Sequence, residues 1–105
     1  MPEILLRFVE GAGVALYRHE PSQSAELLPT RGDLHAYTGG YTWGYGSAGA
    51  MNLSFAIVGK VFEFKGLSKP EFTRRARALL DKVISKLDPQ SEHDLSVDAL
   101  KQFFE

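Results

Sequence analysis

Apolar residues at the start of the chain form two short runs separated by glycines. The first run covers Ile4 to Val9 and stops before Gly11-Ala12-Gly13, and the second covers Val14 to Tyr17. Two apolar runs on either side of a short glycine-containing connection are typical of a β-hairpin. We therefore predict an N-terminal β-hairpin or small antiparallel sheet.

The next segment, from Pro21 to Thr42, is polar and is interrupted by prolines and glycines. This composition predicts a long loop with one further short strand around Leu34 to Tyr37. A loop of this length in a compact domain is usually functional or mobile.

From Ser47 or Ala48 to Phe64, few positions are polar. A helix that is apolar on nearly all sides must be covered by the rest of the protein. Gly59 interrupts the pattern and costs a helix about 1 kcal/mol relative to alanine. We nevertheless predict a central buried helix here.

Two amphipathic patterns follow the central helix. Ser68-Lys69-Pro70-Glu71 has the Ser-x-x-Glu form of a helix capping box, and apolar residues recur at helical spacing from Phe72 to Leu87. Asp88-Pro89 ends that helix, and a last short helix begins at Ser96 with Asp98 in its first turn. The predicted class is α+β: a hairpin or small sheet, a long Gly-rich loop, a central buried helix and two further helices.

Length and charge narrow the function classes. The 105 residues predict a single domain, with a hairpin and loop at 1–42 and a Gly-rich and helical part at 43–105. The net charge of -1 lacks the strong attraction that a nucleic-acid binder usually carries. The absence of cysteine excludes disulfides and thiol catalysis. The N-terminus does not follow a signal-peptide pattern and no apolar run is long enough to cross a bilayer, so we expect a cytoplasmic protein without a membrane partner.

The stretch from Gly39 to Gly49 is the most unusual part of the chain, with five glycines, two tyrosines and the only tryptophan. Glycines let a ligand approach the backbone, and the start of the following helix offers unpaired N–H groups and a partial positive charge. Aromatic rings stack on a base. These features together predict a site for a phosphorylated, flat-ringed ligand. The predicted ligand-binding residues are Tyr41, Trp43, Gly44, Tyr45, Gly46, Ser47 and Asn52.

The same stretch has two other interpretations. Gly44 to Gly49 matches the pattern G-x-G-x-x-G, but the dinucleotide-binding fingerprint requires parallel strands on both sides, and this chain predicts a helix leading into another helix. Packing is the commoner reason for one isolated motif, with the glycines in tight turns and Trp43 in the core. Whether Trp43 faces the core or a pocket separates packing from a ligand site, and the sequence leaves this open.

These residues resemble an uncharacterised domain family of phages, prophages and bacterial accessory regions. Its core motif reads approximately W-G-Y-G-G-S-G-P-A-Q-L-A-L-A and aligns here with Trp43 to Val58. The matching positions are Gly40, Tyr41, Trp43, Gly44, Tyr45, Gly46, Gly49, Leu53, Ala56 and Ile57. Asn52 stands where the family has glutamine, and Ala48 stands where it has a helix-capping serine, a role that Ser47 can take. The resemblance implies a mobile-element accessory protein without implying a particular activity.

Other residues suggest weaker chemistry. Asp33 and His35 form a candidate acid–base pair, for which a solvated loop is the simpler interpretation. The three histidines are too widely spaced for a metal site, so we predict no metal, cofactor or catalytic residue. The basic residues of the second predicted helix are interpreted as a solvated face: Arg74, Arg75, Arg77, Lys82 and Lys86.

The hairpin also suggests self-association. Leu5, Phe8 and Tyr17 are predicted to lie on an exposed strand edge that would pair with a second copy. We therefore expect a homodimer as one assembly of the chain.

Three classes of function remain. The first is a non-catalytic counter-defence protein of phage or mobile-element type, which holds a nucleotide-like immune signal at the Gly-rich stretch. The second is a protein-binding inhibitor of a host defence enzyme, similar to an anti-CRISPR protein, with Tyr37, Tyr41 and Tyr45 as anchors. The third is a phosphodiesterase-like hydrolase that uses His35 with Asp33 or Glu63, or a nucleic-acid binder that uses the basic second helix, and it has the least support. The expected partner is thus a phosphorylated small molecule or a host defence protein.

Overall fold

A four-stranded antiparallel sheet and three α-helices make up the fold of the residues that the structure describes. The computed structural model describes residues 1–35 and 39–104. Strands β1 (Glu3–Val9) and β2 (Ala12–Arg18) form the hairpin, β3 (Glu26–Leu27) follows, and β4 (His93–Ser96) lies near the C-terminus. The strand order is β3-β2-β1-β4. The predicted α+β class with an N-terminal hairpin is confirmed.

The hairpin turn consists of two residues with positive φ, Glu10 at 52° and Gly11 at 81°. Such turns match the twist of antiparallel strands and set the register that places Phe8 opposite Gly13. Alternate side chains of β1 then face the helices, and those of Ile4 and Leu6 are fully buried. The hairpin thereby supplies one wall of the core.

Helix α1 (Ala48–Val61) is the predicted central helix, and every residue from position 52 to position 59 is buried. It ends at Val61, three residues before the predicted end at Phe64. The chain turns there through Gly66, whose φ is 67°, and the Phe64 side chain is 94% exposed. The apolar character of Phe64 therefore extended the predicted helix beyond its true end.

Two further helices begin where the capping residues predict. Helix α2 (Lys69–Lys82) is capped by Ser68, whose hydroxyl accepts a hydrogen bond from the Glu71 N–H at 3.3 Å. It ends before Leu87, and a 3₁₀ turn at Ile84–Lys86 completes the segment that was predicted as helix. Helix α3 (Val97–Gln102) is capped by Ser96. The three cap serines each satisfy an N–H of the first helical turn.

The sheet differs from the prediction in three ways. Strands β3 and β4 were not predicted, and the strand predicted around Leu34 to Tyr37 is wrong at its start, because Leu34 lies in a turn. The rest of that prediction falls on residues 36–38, outside the described residues. The predicted exposed edge is wrong at Leu5, which is only 4% exposed where β1 pairs with both β2 and β4, and at Tyr17, which pairs with β3. Phe8 lies beyond the pairing with β4 and is 37% exposed.

The core lies between the inner face of the sheet and the helices. It joins residues of the sheet to α1 and α2, and Trp43 and Tyr41 belong to it. Strand β4 pairs Ser96 with Glu3, which brings the C-terminal part of the chain against the N-terminal hairpin. The Gly-rich stretch therefore sits where the hairpin, the start of α1 and the segment before β4 meet.

Candidate functional site

Trp43 faces the core. Its side chain is 2% exposed, and its indole N–H donates a hydrogen bond to the Ser91 carbonyl at 2.9 Å. The Phe8 ring packs against it with 5.1 Å between ring centroids, and the His93 ring lies edge-on at 6.4 Å. A buried indole usually pairs its N–H in this way. Trp43 therefore joins β1 to the segment just before β4.

Gly44 must be glycine for two reasons. Its φ of 98° lies in a region that side-chain-bearing residues rarely adopt. A Cβ atom at this position would also lie 2.6 Å from the Pro89 side chain and 2.7 Å from the Leu87 carbonyl oxygen. The Gly44 N–H donates to the Ile84 carbonyl at 2.8 Å. This glycine fastens the Gly-rich stretch to residues 84–89.

Ser47 is the N-cap of α1, so its hydroxyl has a structural use. It accepts a hydrogen bond from the Ala50 N–H at 3.1 Å and shares a second hydrogen bond of 2.8 Å with the Thr42 hydroxyl. Gly49 leaves room for Thr42, because a Cβ there would lie 2.7 Å from the Thr42 Oγ1. The start of α1 is thus closed against Thr42 by side-chain contacts.

Asn52 is buried beneath the glycine pair before Tyr41. The residue is 1% exposed, and its Nδ2 donates to the Gly39 and Gly40 carbonyls, both at 3.5 Å. Its Oδ1 atom accepts no hydrogen bond within the part of the chain that the structure describes. Buried acceptors are usually satisfied, so this oxygen is a place where a water molecule or a ligand donor would be stabilised.

The two tyrosines of the stretch have different environments. Tyr41 is 8% exposed, its hydroxyl donates to the Leu28 carbonyl at 2.9 Å, and burial raises the pKa of Tyr41 to about 12. Tyr45 is 52% exposed. Gly46 beside it is also exposed, and no atom lies close to the position of a Cβ there. Tyr45 and Gly46 are therefore the accessible members of the predicted site.

Two adjoining concavities open beside this stretch. The first, which we call the aromatic cleft, has a volume of about 200 Å³. It is lined by Phe8, Gly11, Gly13, Tyr41, Thr42, Trp43, Tyr45 and Pro89. The second, the apolar cavity, has a volume of about 450 Å³ and is lined by Gly13, Val14, Ala15, Leu27, Leu28, Pro29, Thr30, Gly40 and Tyr41. Gly13 and Tyr41 border both concavities.

No charged side chain lines either concavity in the described part of the chain. A phosphate bound beside the cleft would rely on backbone N–H groups at the start of α1. Two of those groups, on Ala50 and Met51, already donate to Ser47. Ala48 is exposed at this helix start. The geometry thus favours recognition of a ring over recognition of a charge.

The other sequence candidates form a separate region. Arg31 binds the Asp33 carboxylate through two hydrogen bonds of 2.9 Å, and this contact holds the pKa of Asp33 below its usual value. The His35 ring stacks on Phe55, with 5.1 Å between centroids.

No group of three or more His, Cys, Asp or Glu side chains among the described residues is placed to hold a metal ion. None of the helices in residues 1–35 and 39–104 has the length and apolar character needed to cross a membrane.

Five residues that line the cleft are not among the predicted ligand-binding residues: Phe8, Gly11, Gly13, Thr42 and Pro89. Phe8 and Gly13 oppose one another across the hairpin, so their position follows from the register once the turn is known. Pro89 reaches the cleft only through the packing of residues 84–89 on Gly44, which has no local sequence signal. Asn52, Ser47 and Gly44 lie near the stretch as predicted, but their contacts in the structure hold the fold together.

Comparison of the chain with protein-family models found no match, and neither did comparison with curated proteins or with solved structures.

Proposed function

We propose that this chain is a non-catalytic binding protein that takes the flat ring of a small molecule into the aromatic cleft. The observation that carries this proposal is the lining of the cleft, where the aromatic residues Tyr45 and Phe8 are 52% and 37% exposed beside buried Trp43. An apolar cavity of about 150 Å³ is enough to bind benzene, and the cleft has about 200 Å³. One aromatic ring therefore fits between these side chains.

A nucleotide-like molecule is the first candidate ligand. Its base would occupy the cleft, and its phosphate would lie toward exposed Gly46 and Ala48 at the start of α1. The open space at Gly46 and the partial positive charge of the helix start support this orientation. Because none of the described residues that line the cleft is a lysine or arginine, we expect a nucleoside to bind nearly as tightly as its nucleotide.

The resemblance of Trp43 to Val58 to a family of phage and prophage proteins supports a biological role for such binding. In that role the protein acts in the cytoplasm of a host cell and sequesters a nucleotide-like immune signal. Binding without turnover is sufficient for sequestration, and the cleft presents no acid–base pair in the described structure.

Intrinsic fluorescence of Trp43 tests the proposal, because this residue forms the wall of the cleft and is the only tryptophan. Nucleosides, mononucleotides and cyclic dinucleotides are titrated into the full chain while emission and melting temperature are recorded. We expect a saturable change and a matching thermal shift. Tyr45→Ala should weaken binding by about tenfold, which corresponds to the stacking energy of one base.

Phe64→Ala is the matched control, since Phe64 is an exposed aromatic residue remote from the cleft lining. It should leave ligand affinity unchanged. The absence of any saturable signal at millimolar ligand, or equal affinities for the unchanged protein and Tyr45→Ala, would overturn the proposal.

A protein-binding inhibitor is the second candidate function, and the exposed Tyr45 and Phe8 rings favour it. Tyr41 is too deeply buried to be an interface anchor, and Tyr37 lies outside the described residues. In this case Tyr45→Ala would abolish binding to a purified host defence enzyme, and no small molecule from the panel would alter the Trp43 emission.

A further inference from the structure

Positive charge is concentrated in one segment of the chain. Residues 60–86 contain eight of the twelve Lys and Arg residues but only three of the thirteen Asp and Glu residues. The remaining residues contain four Lys and Arg against ten Asp and Glu. The near-neutral total charge therefore conceals a basic region, and α2 lies at its centre.

One side of α2 combines this charge with exposed aromatic rings. Arg74, Ala78 and Lys82 follow one another at four-residue spacing and so form a line along the helix. Phe103 lies beside this line and is 42% exposed, and the Lys82 ammonium is 5.5 Å from the centroid of its ring. A concavity of about 230 Å³ opens between the helix and the C-terminal residues, and we call it the basic aromatic pocket. It is lined by Arg74, Arg75, Ala78, Phe103 and Phe104.

The arginines of the pocket are only partly neutralised. Arg74 and Arg75 share one carboxylate, that of Glu71, and this contact holds the pKa of Glu71 below its usual value. The Arg74 side chain is nevertheless 73% exposed. Lys82 forms no ion pair within the described residues. Two cations therefore remain accessible: Arg74, which lines the pocket, and Lys82, which lies over the Phe103 ring of the lining.

Arg75 forms the floor of the pocket. Its guanidinium lies 4.6 Å from the centroid of the Phe62 ring and 5.4 Å from that of the Phe104 ring. Its side chain is only 16% exposed. The pocket thus offers an apolar and cationic floor that is already in place before any partner binds, which lowers the entropy lost on association.

We propose that the basic aromatic pocket binds a short acidic segment of a partner protein in extended conformation. Arg74 and Lys82 are eight residues apart on α2, which corresponds to about 12 Å along the helix axis. In an extended peptide, residues four apart are separated by about 13 Å, and the residue midway between them faces the same side. The matching segment therefore carries acidic residues at its first and fifth positions and an apolar residue at its third.

Charge complementarity favours this occupant over a nucleic acid. A long polyanion would extend beyond the pocket and meet the rest of the molecule, where acidic residues outnumber basic ones by ten to four. A segment of five residues contacts the basic region alone.

A second copy of the chain fits less well. Its most acidic segment, residues 88–98, contains four Asp and Glu and no Lys or Arg. The spacing of Asp94 and Asp98 matches the required pattern, but polar Ser96 occupies the middle position. The pocket would then face a hydroxyl instead of the apolar side chain that it accommodates.

The test uses a fluorescently labelled five-residue peptide with glutamate at the first and fifth positions, phenylalanine at the third and serine between them. Anisotropy titration with the full chain is carried out at low and high salt. We expect saturable binding that weakens with salt. A peptide of the same composition with phenylalanine moved to the second position presents the ring to the opposite side and should bind about tenfold more weakly.

Variants locate the site. Lys82→Gln should weaken binding of the first peptide by about threefold, the effect of one exposed ion pair, and Phe103→Ser should weaken it by about tenfold. Lys86→Gln removes the same charge from an exposed lysine that, unlike Lys82, does not lie over the Phe103 ring, and it should leave the affinity unchanged. Lys82 is exposed, so Lys82→Gln should fold normally and tests the proposal even if Phe103→Ser does not fold.

Four results would overturn the proposal. They are equal affinity for both peptides, equal affinity of Lys82→Gln and the unchanged protein, stronger salt-dependent binding of a single-stranded oligonucleotide at the same residues, and self-association that Lys82→Gln abolishes. None of these results bears on the aromatic cleft, because no residue lines both sites.

Discussion

At the residue scale, Gly59 shows why a glycine persists inside a buried helix. The Arg31 guanidinium crosses α1 at this point and donates to the Gly59 carbonyl at 3.2 Å. Arg31 also binds Asp33 and lies 5.6 Å from the centroid of the Phe72 ring. A Cβ at position 59 would lie 2.7 Å from the Arg31 Nη1 and 2.8 Å from its Cγ. The glycine thus makes room for an arginine that fastens the loop to α1 and α2.

Gly59→Ala should therefore lower the free energy of unfolding by about 1 kcal/mol, because displacement of Arg31 and its hydrogen bonds outweighs the gain in helix propensity. In an Arg31→Ala background the same substitution should raise the free energy of unfolding by about 1 kcal/mol, since only the propensity gain remains. Urea denaturation of the four proteins measures both effects. An effect of the same sign and size in both backgrounds would show that the two positions are not coupled.

At the element scale, local patterns predict the helices well and the sheet only in part. The three helix starts follow from Ser47, Ser68 and Ser96, whose caps act on the next few residues. Strand β4 has only one apolar residue, Leu95, and its extended form depends on pairing with β1 at the far end of the chain. Such non-local pairing leaves no periodic signal in so short a segment.

The candidate site shows the same limit. An aromatic residue among glycines is equally suited to a pocket wall and to a core, and the sequence around Trp43 does not distinguish them. The distinction comes from Phe8 and Ser91, which lie 35 residues before it and 48 residues after it in the chain and cover the indole. The sequence therefore indicates the stretch, but it does not indicate which of its side chains are accessible.

The glycines of this stretch provide an element-scale prediction, because two of them differ in what surrounds them. Gly44→Ala should lower the free energy of unfolding by about 2 kcal/mol or more, since it combines a positive φ with contact against Pro89. Gly46→Ala is the matched control; with open space around it, the change should stay within about 0.5 kcal/mol. Thermal and urea denaturation compare the two. Equal losses at both positions would contradict the role assigned to Gly44.

At the scale of the whole molecule, Tyr41 makes the free energy of unfolding depend on pH in the alkaline range. Its phenol is enclosed between the loop and the hairpin, donates to the Leu28 carbonyl, and has its pKa raised by burial to about 12. The unfolded chain releases this proton near pH 10. Because the folded protein holds the proton more tightly, the associated stability is complete below pH 10 and is lost as the pH rises toward 12.

We expect this loss of stability to reach about 1 to 2 kcal/mol. The full value for a shift of two pKa units is about 2.8 kcal/mol, and the loss is smaller because solvent reaches the cavity side of the ring.

Tyr41→Phe should cost about 1 kcal/mol at neutral pH, where the Leu28 carbonyl loses its donor, and should remove this part of the alkaline decline. Tyr45→Phe, at an exposed position, should change neither. Urea denaturation at pH 8, 10 and 11.5 measures the difference. Parallel declines for the unchanged protein and Tyr41→Phe would assign the alkaline sensitivity to other groups, whereas a flatter decline for Tyr41→Phe would show that one buried phenol links the loop to the stability of the entire fold.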